Sequence, residues 1–149
     1  MGAAEVEVDR ETGLVKLVRY VGLGDPGKVF DQQTARGQVE GAAMQALGHT
    51  FGEEMVCDVE GQLLNSTLMD YRPTMMEDVP DNFEAVLVEK GDGVGAFGSR
   101  GMGQAHLSAM APAVTSAIGR LTGVYMHQLP ITPQRLWEAL QKEGDHEKV

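Results

Sequence analysis

Phe83-Glu84-Ala85-Val86-Leu87-Val88-Glu89, followed closely by Gly93-Val94-Gly95-Ala96-Phe97-Gly98, is the passage on which the fold class turns. The first run is rich in strand-forming residues. The second has the glycine spacing of a dinucleotide-binding loop, and together they would announce a doubly wound α/β sheet. Such a loop works by opening a helix whose N-terminus holds a pyrophosphate. Here Gly98 leads instead into Ser99-Arg100-Gly101-Met102-Gly103, and helical periodicity begins only near Pro112. About twenty residues beyond the loop, where an acid should hold a ribose hydroxyl, the segment Gly119 to Gly123 has none. The passage is therefore a strand followed by a glycine-rich loop, and the α/β reading falls.

Upstream, Val6 and Val8 alternate with Glu5, Glu7 and Asp9, a polar turn follows, and Leu14 to Val21 forms a second apolar run. That pattern predicts a hairpin. Gly22 to Lys28 is dense in Gly and Pro and reads as a loop. From about Thr34, the residues Val39, Ala42, Ala43, Ala46, Leu47 and Phe51 recur at helical spacing, with small side chains that let a helix lie close to another backbone. Met55 to Val59 and Gln62 to Leu64 flank Glu60-Gly61 and predict a second, local hairpin. Tyr71 to Pro80 reads as extended coil.

Downstream, Ala113, Val114, Ala117, Ile118 and Leu121 form an amphipathic stripe, with Pro112 placed in the first turn and Gly123 as the C-cap. Thr132-Pro133 opens a third helix with Leu136, Trp137 and Leu140 on one face. The expected architecture is α+β, with β-hairpins and a mixed sheet packed against about three helices. One domain covers residues 1–141, and 142–149 form a charged tail.

A chain of 149 residues suits one domain with a genuine core. The formal net charge of −10 argues against nucleic acid or an anionic membrane as partner. No apolar run reaches bilayer length, and the N-terminus lacks the pattern of a secretory signal, so the expectation is a cytoplasmic protein. Cys57 is the single cysteine and cannot build an iron-sulfur site by itself. The methionines, among them Met75, Met76, Met102 and Met110, read first as core filler.

The histidines His49, His106, His127 and His146 lack the spacing and acidic neighbours of a metal site. Ser99 and Ser108 lack a nucleophile elbow, and Glu53-Glu54 reads as an exposed pair. The glycine tract asks for a cause. One sharp turn needs one or two glycines, whereas Gly93, Gly95, Gly98, Gly101 and Gly103 together favour close approach of backbone to a ligand, with successive N–H groups forming an anion-binding concavity.

Two segments carry a specific resemblance. Gly37-Gln38-Val39-Glu40-Gly41-Ala42-Ala43-Met44-Gln45-Ala46-Leu47-Gly48 and Phe97-Gly98-Ser99-Arg100-Gly101-Met102-Gly103-Gln104 resemble motifs of the xanthine dehydrogenase and aldehyde oxidase family, in the C-terminal part of its molybdopterin-binding large subunit. The hairpin through Thr12-Gly13, the loop at Asp25 and Gly27, and the close Leu129-Pro130-Ile131-Thr132-Pro133 agree as well. The resemblance implies a molybdenum-molybdopterin cofactor shared with a larger Mo-binding chain. It also implies iron-sulfur and FAD centres in partner subunits, since one cysteine leaves this chain without its own electron relay. Gly37, Gln38, Ser99, Arg100, Gly101, Met102 and Gly103 would border the cofactor, with Gln38 bonding the pterin. The alternative role for Gln38 is an ordinary helix-start cap.

Gln104 departs from the pattern. It stands where the family carries a glutamate that acts as general base in hydroxylation. A carboxamide can orient or hydrogen-bond but has no usable basicity near neutral pH. Another reaction on the same cofactor, a noncatalytic interaction or scaffolding domain, or a base from another chain would each account for it. His106, two residues on, is the nearest titratable substitute in this chain.

Overall fold

Alternating apolar and charged residues at the N-terminus form β1 (Gly2–Val8), which pairs antiparallel with β2 (Val15–Gly24). The computed structural model describes residues 1–146, with side chains through residue 143. Asp9 closes the turn between the strands, its carboxylate accepting from the Glu11 amide at 2.9 Å and the Thr12 hydroxyl at 2.7 Å. Gly13 completes it at φ 74°, where a Cβ would lie 2.0 Å from the Pro133 carbonyl oxygen. Only glycine fits there.

The strand β2 runs to Gly24, so the expected loop beginning at Gly22 is corrected: Gly22 and Gly24 are strand residues. Their lack of a side chain has a packing cause. A Cβ at Gly22 would sit 3.1 Å from His106 Cδ2, and one at Gly24 only 2.8 Å from His106 Cε1. The imidazole occupies the space that two side chains would fill.

Helix α1 (Gln32–Phe51) begins at Asp31, whose carboxylate accepts from the Thr34 amide at 2.6 Å. It carries the chain over the sheet to β3 (Asn82–Leu87), which pairs parallel with β2 from Arg19↔Asn82 to Gly24↔Leu87. The order is β1-β2-β3, a mixed sheet with β2 at its centre. Ala35, Ala42, Ala43 and Ala46 on the buried face of α1 let α2 (Leu107–Thr122) approach closely, and α2 also lies against β1. Phe83 stacks on the fully buried Tyr20 with ring centroids 5.6 Å apart.

The start of α2 corrects the expectation that Pro112 stands in a first turn: Leu107 opens the helix and Pro112 lies inside it. Met110, Val114 and Ile118 are fully buried and fix the helix despite the amide that proline lacks. Gly123 ends it at φ 83°, as expected of a C-cap. Helix α3 (Pro133–His146) starts where the sequence placed it, Thr132 Oγ1 accepting from the Arg135 amide at 3.2 Å. Leu136 and Leu140 enter the core while Trp137 stays 41% exposed, because one residue turns the helix by about 100°. That corrects the shared face expected for the three. The helix takes in 142–146 of the segment expected as a charged tail, and 147–149 lie outside the described residues.

The second expected hairpin is reduced to an isolated Cys57↔Leu63 bridge. Asp58 organises its turn, accepting from the Glu60 amide at 3.0 Å and the Gln62 amide at 2.8 Å. Val59 and Leu64 face outward, so no apolar layer beneath turns this local pairing into strands. The methionines divide: Met110 is core, whereas Met75 and Met76 are exposed, which corrects the core-filler reading for that pair. Among the described residues no helix is long and apolar enough to cross a membrane.

Candidate functional site

The residues Gly37, Gln38, Gly41, Ala42 and Gln45 fall at helical spacing and form one stripe along α1. Opposite that stripe stands Gln104, and together they line a cleft of about 200 Å³. None of the lining side chains titrates. Gln38, Gln45 and Gln104 bring their carboxamides to it with no side-chain hydrogen bond occupying them among the described residues, so donors and acceptors remain available to a ligand. At Gly37 and Gly41 a Cβ would meet nothing within 4 Å. Glycine inside a helix costs about 1 kcal/mol relative to alanine. Two of them on one bare face leave room for a flat group to lie against the helix.

Gln38 is well inside α1, and Asp31 is the cap, so the helix-start role considered for Gln38 does not apply. The other wall is Gln104, at the end of the glycine-rich segment. Its first part is clamped to the loop after β2: Arg100 N–H donates to the Pro26 carbonyl at 2.7 Å, Lys28 N–H to the Gly98 carbonyl at 3.0 Å, and Gly27 bridges Ser99. The Arg100 guanidinium holds Asp25 at 3.1 Å and Asp92 at 2.7 Å. Arg100 and Ser99 thus stand outside the cleft lining and secure the loop that forms it.

The N–H groups of Gly93, Gly95, Gly98, Ser99 and Arg100 all donate to carbonyls of the protein. Those of Gly101, Met102, Gly103 and Gln104 take no acceptor among the described residues. Of these four, Gln104 lines the cleft, whereas Gly101, Met102 and Gly103, like Ser99 and Arg100, stand outside the lining. A Cβ at Gly103 would have Gln38 Oε1 at 3.9 Å as its nearest neighbour, and one at Gly101 would meet nothing within 4 Å.

Gln104 reaches the cleft from a left-handed backbone, φ 56°, an uncommon conformation for a side-chain-bearing residue. Just behind it, His106 is 1% exposed, with neither ring nitrogen hydrogen-bonded. Its ring lies against Gly22 and Gly24 and is absent from the cleft lining. The geometry gives it no access to a ligand held by the carboxamides. Near the same loop Phe97, also left-handed at φ 55°, meets Phe30 edge-on at 6.0 Å, both rings largely in solvent.

Gly41, Ala42 and Gln45 escaped the sequence reading as site residues. Their signal was the helical spacing from Gly37 and Gln38. Among the described residues no three His, Cys, Asp or Glu side chains gather to hold a metal ion, so a metal here would come with donors from elsewhere.

Comparison with known proteins bears on the family and the fold. The molybdopterin cofactor-binding domain pattern matches residues 1–80. A probable hypoxanthine oxidase of Escherichia coli is 35% identical over 139 residues, covering 93% of this chain and 14% of that protein. A probable xanthine dehydrogenase subunit of Bacillus subtilis is 37% identical over 145 residues, covering 95% and 19%. The crystal structure of quinoline 2-oxidoreductase from Pseudomonas putida 86 superposes with a TM-score of 0.84 at 31% identity, over 95% of this chain and 18% of that one. The chain thus spans less than a fifth of the length of these relatives.

Proposed function

Because the chain belongs to the molybdopterin cofactor-binding domain family, we propose that it supplies part of the cofactor pocket of a molybdenum hydroxylase-type oxidoreductase, in a cytoplasmic complex. The observation that carries this is the convergence of Gln38 and Gln104, distant in sequence, on one cleft with unfilled carboxamides on both walls. The bare glycine face of α1 and the free amides at Gly101 to Gln104 fit a planar, polar group.

Gln38 and Gln45 would bond the edge of the pterin, Gly37 and Gly41 would admit its face, and the amides from Gly101 to Gln104 would donate to its oxygens. When bound, molybdenum-molybdopterin supplies the redox chemistry of hydroxylation, with electrons leaving through iron-sulfur and flavin subunits. A larger Mo-binding chain or domain would provide the rest of the pocket. Gln104 would orient a substrate or cofactor oxygen by hydrogen bonding and take up no proton. Base-assisted hydroxylation would then be reduced by about 10² to 10⁴.

The test is Gln104→Glu in the assembled complex. A gain in hydroxylase rate of that order, with molybdenum copurifying, supports a pocket with a disabled base. Loss of an existing activity would show that the carboxamide itself is used. The second reading, a noncatalytic interaction or scaffolding domain, is favoured by the same absence of any acid or base in the cleft lining. It predicts a stable complex without molybdenum and no gain from Gln104→Glu.

A further inference from the structure

Strand β2 is paired with β1 from Val15 to Gly22, but β3 joins its other edge only from Arg19 onward. Along Val15–Val18 the second row of backbone donors and acceptors therefore has no strand beside it. This stretch is not on open surface. Val15, Lys16, Leu17 and Val18 line a cleft of about 600 Å³ whose walls include Leu47, Phe51 and Ile131. Unpaired backbone in a partly buried slot is a template for another chain. Four residues of edge span about 13 Å of extended partner.

The far wall of the slot is residues 72–74 and 77–82. The segment carrying that wall also exposes large apolar side chains: Leu68 at 74%, Met69 at 93%, Met75 at 50% and Met76 at 87%. Such side chains gathered on one segment mark an interaction surface more readily than scattered ones. The rim is acidic. Arg72 neutralises Asp78 at 3.2 Å, while Glu77 and Asp81 have no ion-pair partner among the described residues.

We propose that the open Val15–Val18 edge of β2, with the exposed Leu68, Met69, Met75 and Met76 on the segment that supplies the far wall of its slot, seats an extended strand from the rest of the molybdenum-binding subunit. The inference rests on the reading that this chain completes such a subunit. The occupant follows from length and charge. The relatives have more than four fifths of their chain beyond the part matched here, so a subunit of their size has ample chain to cover this face. The acidic rim selects a segment with apolar residues on its inward face and a Lys or Arg at its end.

Hydrogen exchange on the complex isolated from its native source tests this, together with cross-linking mass spectrometry through Lys16 and metal analysis. The expected result is that Val15–Val18 amides exchange as slowly as those of Arg19–Gly22, with Lys16 cross-linked to the larger molybdenum-binding chain. The exposed pair Leu68→Glu and Met69→Glu, made together, should weaken association with that chain at least tenfold. Fast exchange at Val15–Val18 in a complex that holds molybdenum and the larger chain overturns the docking edge and leaves the proposed function standing. A protected edge cross-linked to the larger chain in a molybdenum-free complex upholds the edge and overturns the cofactor reading. Cross-links only to a second copy of this chain overturn the assigned occupant, and absence of any larger chain overturns both.

Discussion

An added methyl at Gly98 would lie 2.1 Å from the Gly91 carbonyl oxygen, whereas at Gly101 it would meet nothing within 4 Å. In the sequence these glycines belong to one dense tract, and nothing local separates them. The structure does, because the loop folds back on itself: an added Cβ at Gly93 or Gly98 would meet the backbone of Ser99 or Gly91, and one at Gly27 that of Gly98. Gly98→Ala, at φ 80°, should destabilise the fold by more than about 2 kcal/mol, and Gly101→Ala by less than about 0.5 kcal/mol, in denaturant unfolding. The same Gly101→Ala should lower molybdenum retained by the complex, since the methyl would enter space that the proposed cofactor uses. Gln104 offers the converse case. Replacing it with glycine relieves a left-handed backbone at φ 56° and should raise stability by about 1 kcal/mol while removing the carboxamide from the cleft. A loss of stability in Gln104→Gly would show that the side chain holds the turn.

At the scale of elements, legibility followed whether the deciding interaction was local. Alternation of valine with acids made the first hairpin readable. The same pattern around Cys57 predicted a second that lacks a layer to pack on and survives as a single bridge. A mixed sheet was expected and is found, but that β3 joins β2, and in which register, was not readable, because that pairing depends on α1 crossing the sheet. Met110 precedes Val114 and Ile118 at four-residue spacing, which extends the α2 stripe back past Pro112, yet the proline rule outweighed it. In α3, Leu136→Ala should cost about 2 to 5 kcal/mol as a fully buried leucine, and Trp137→Ala distinctly less because the indole is 41% exposed. Equal losses for the two in thermal unfolding would contradict the orientation of the helix. The cleft was half legible: Gln38 and Gln104 came from motifs, Gln45 from spacing that needed the helix to be seen.

For the molecule as a whole, acid sensitivity follows from carboxylates held below their ordinary range. Asp9 is lowered mainly by the Thr12 hydroxyl, Asp31 by the Thr34 amide, and Glu89 by its bond from the Lys28 ammonium. A group with a depressed folded pKa binds protons more readily when unfolded, so its contribution is present above the ordinary values of 3.8 and 4.5 and is lost as pH falls below them. Tyr20 shifts upward by burial, and its contribution is present below 10.0 and lost as pH rises above that value. The melting temperature should therefore hold between about pH 5 and pH 9 and decline on both sides. On the acid side Asp31→Asn should flatten the decline, and an unchanged acid limb would remove Asp31 from this account.

The imidazole wedged behind the cleft has a mechanical meaning. His106 fills the hollow left by Gly22 and Gly24, and Val39, next to Gln38 on α1, abuts the same two positions. One aromatic ring thus works as a gauge block between sheet, helix and loop, and its thickness fixes how far apart the jaws bearing Gln38 and Gln104 are set. The spacing is held by shape alone, since neither ring nitrogen is bonded. Trimming that block, as in His106→Ala, should let the jaws close, while the chemistry of their faces stays as it was.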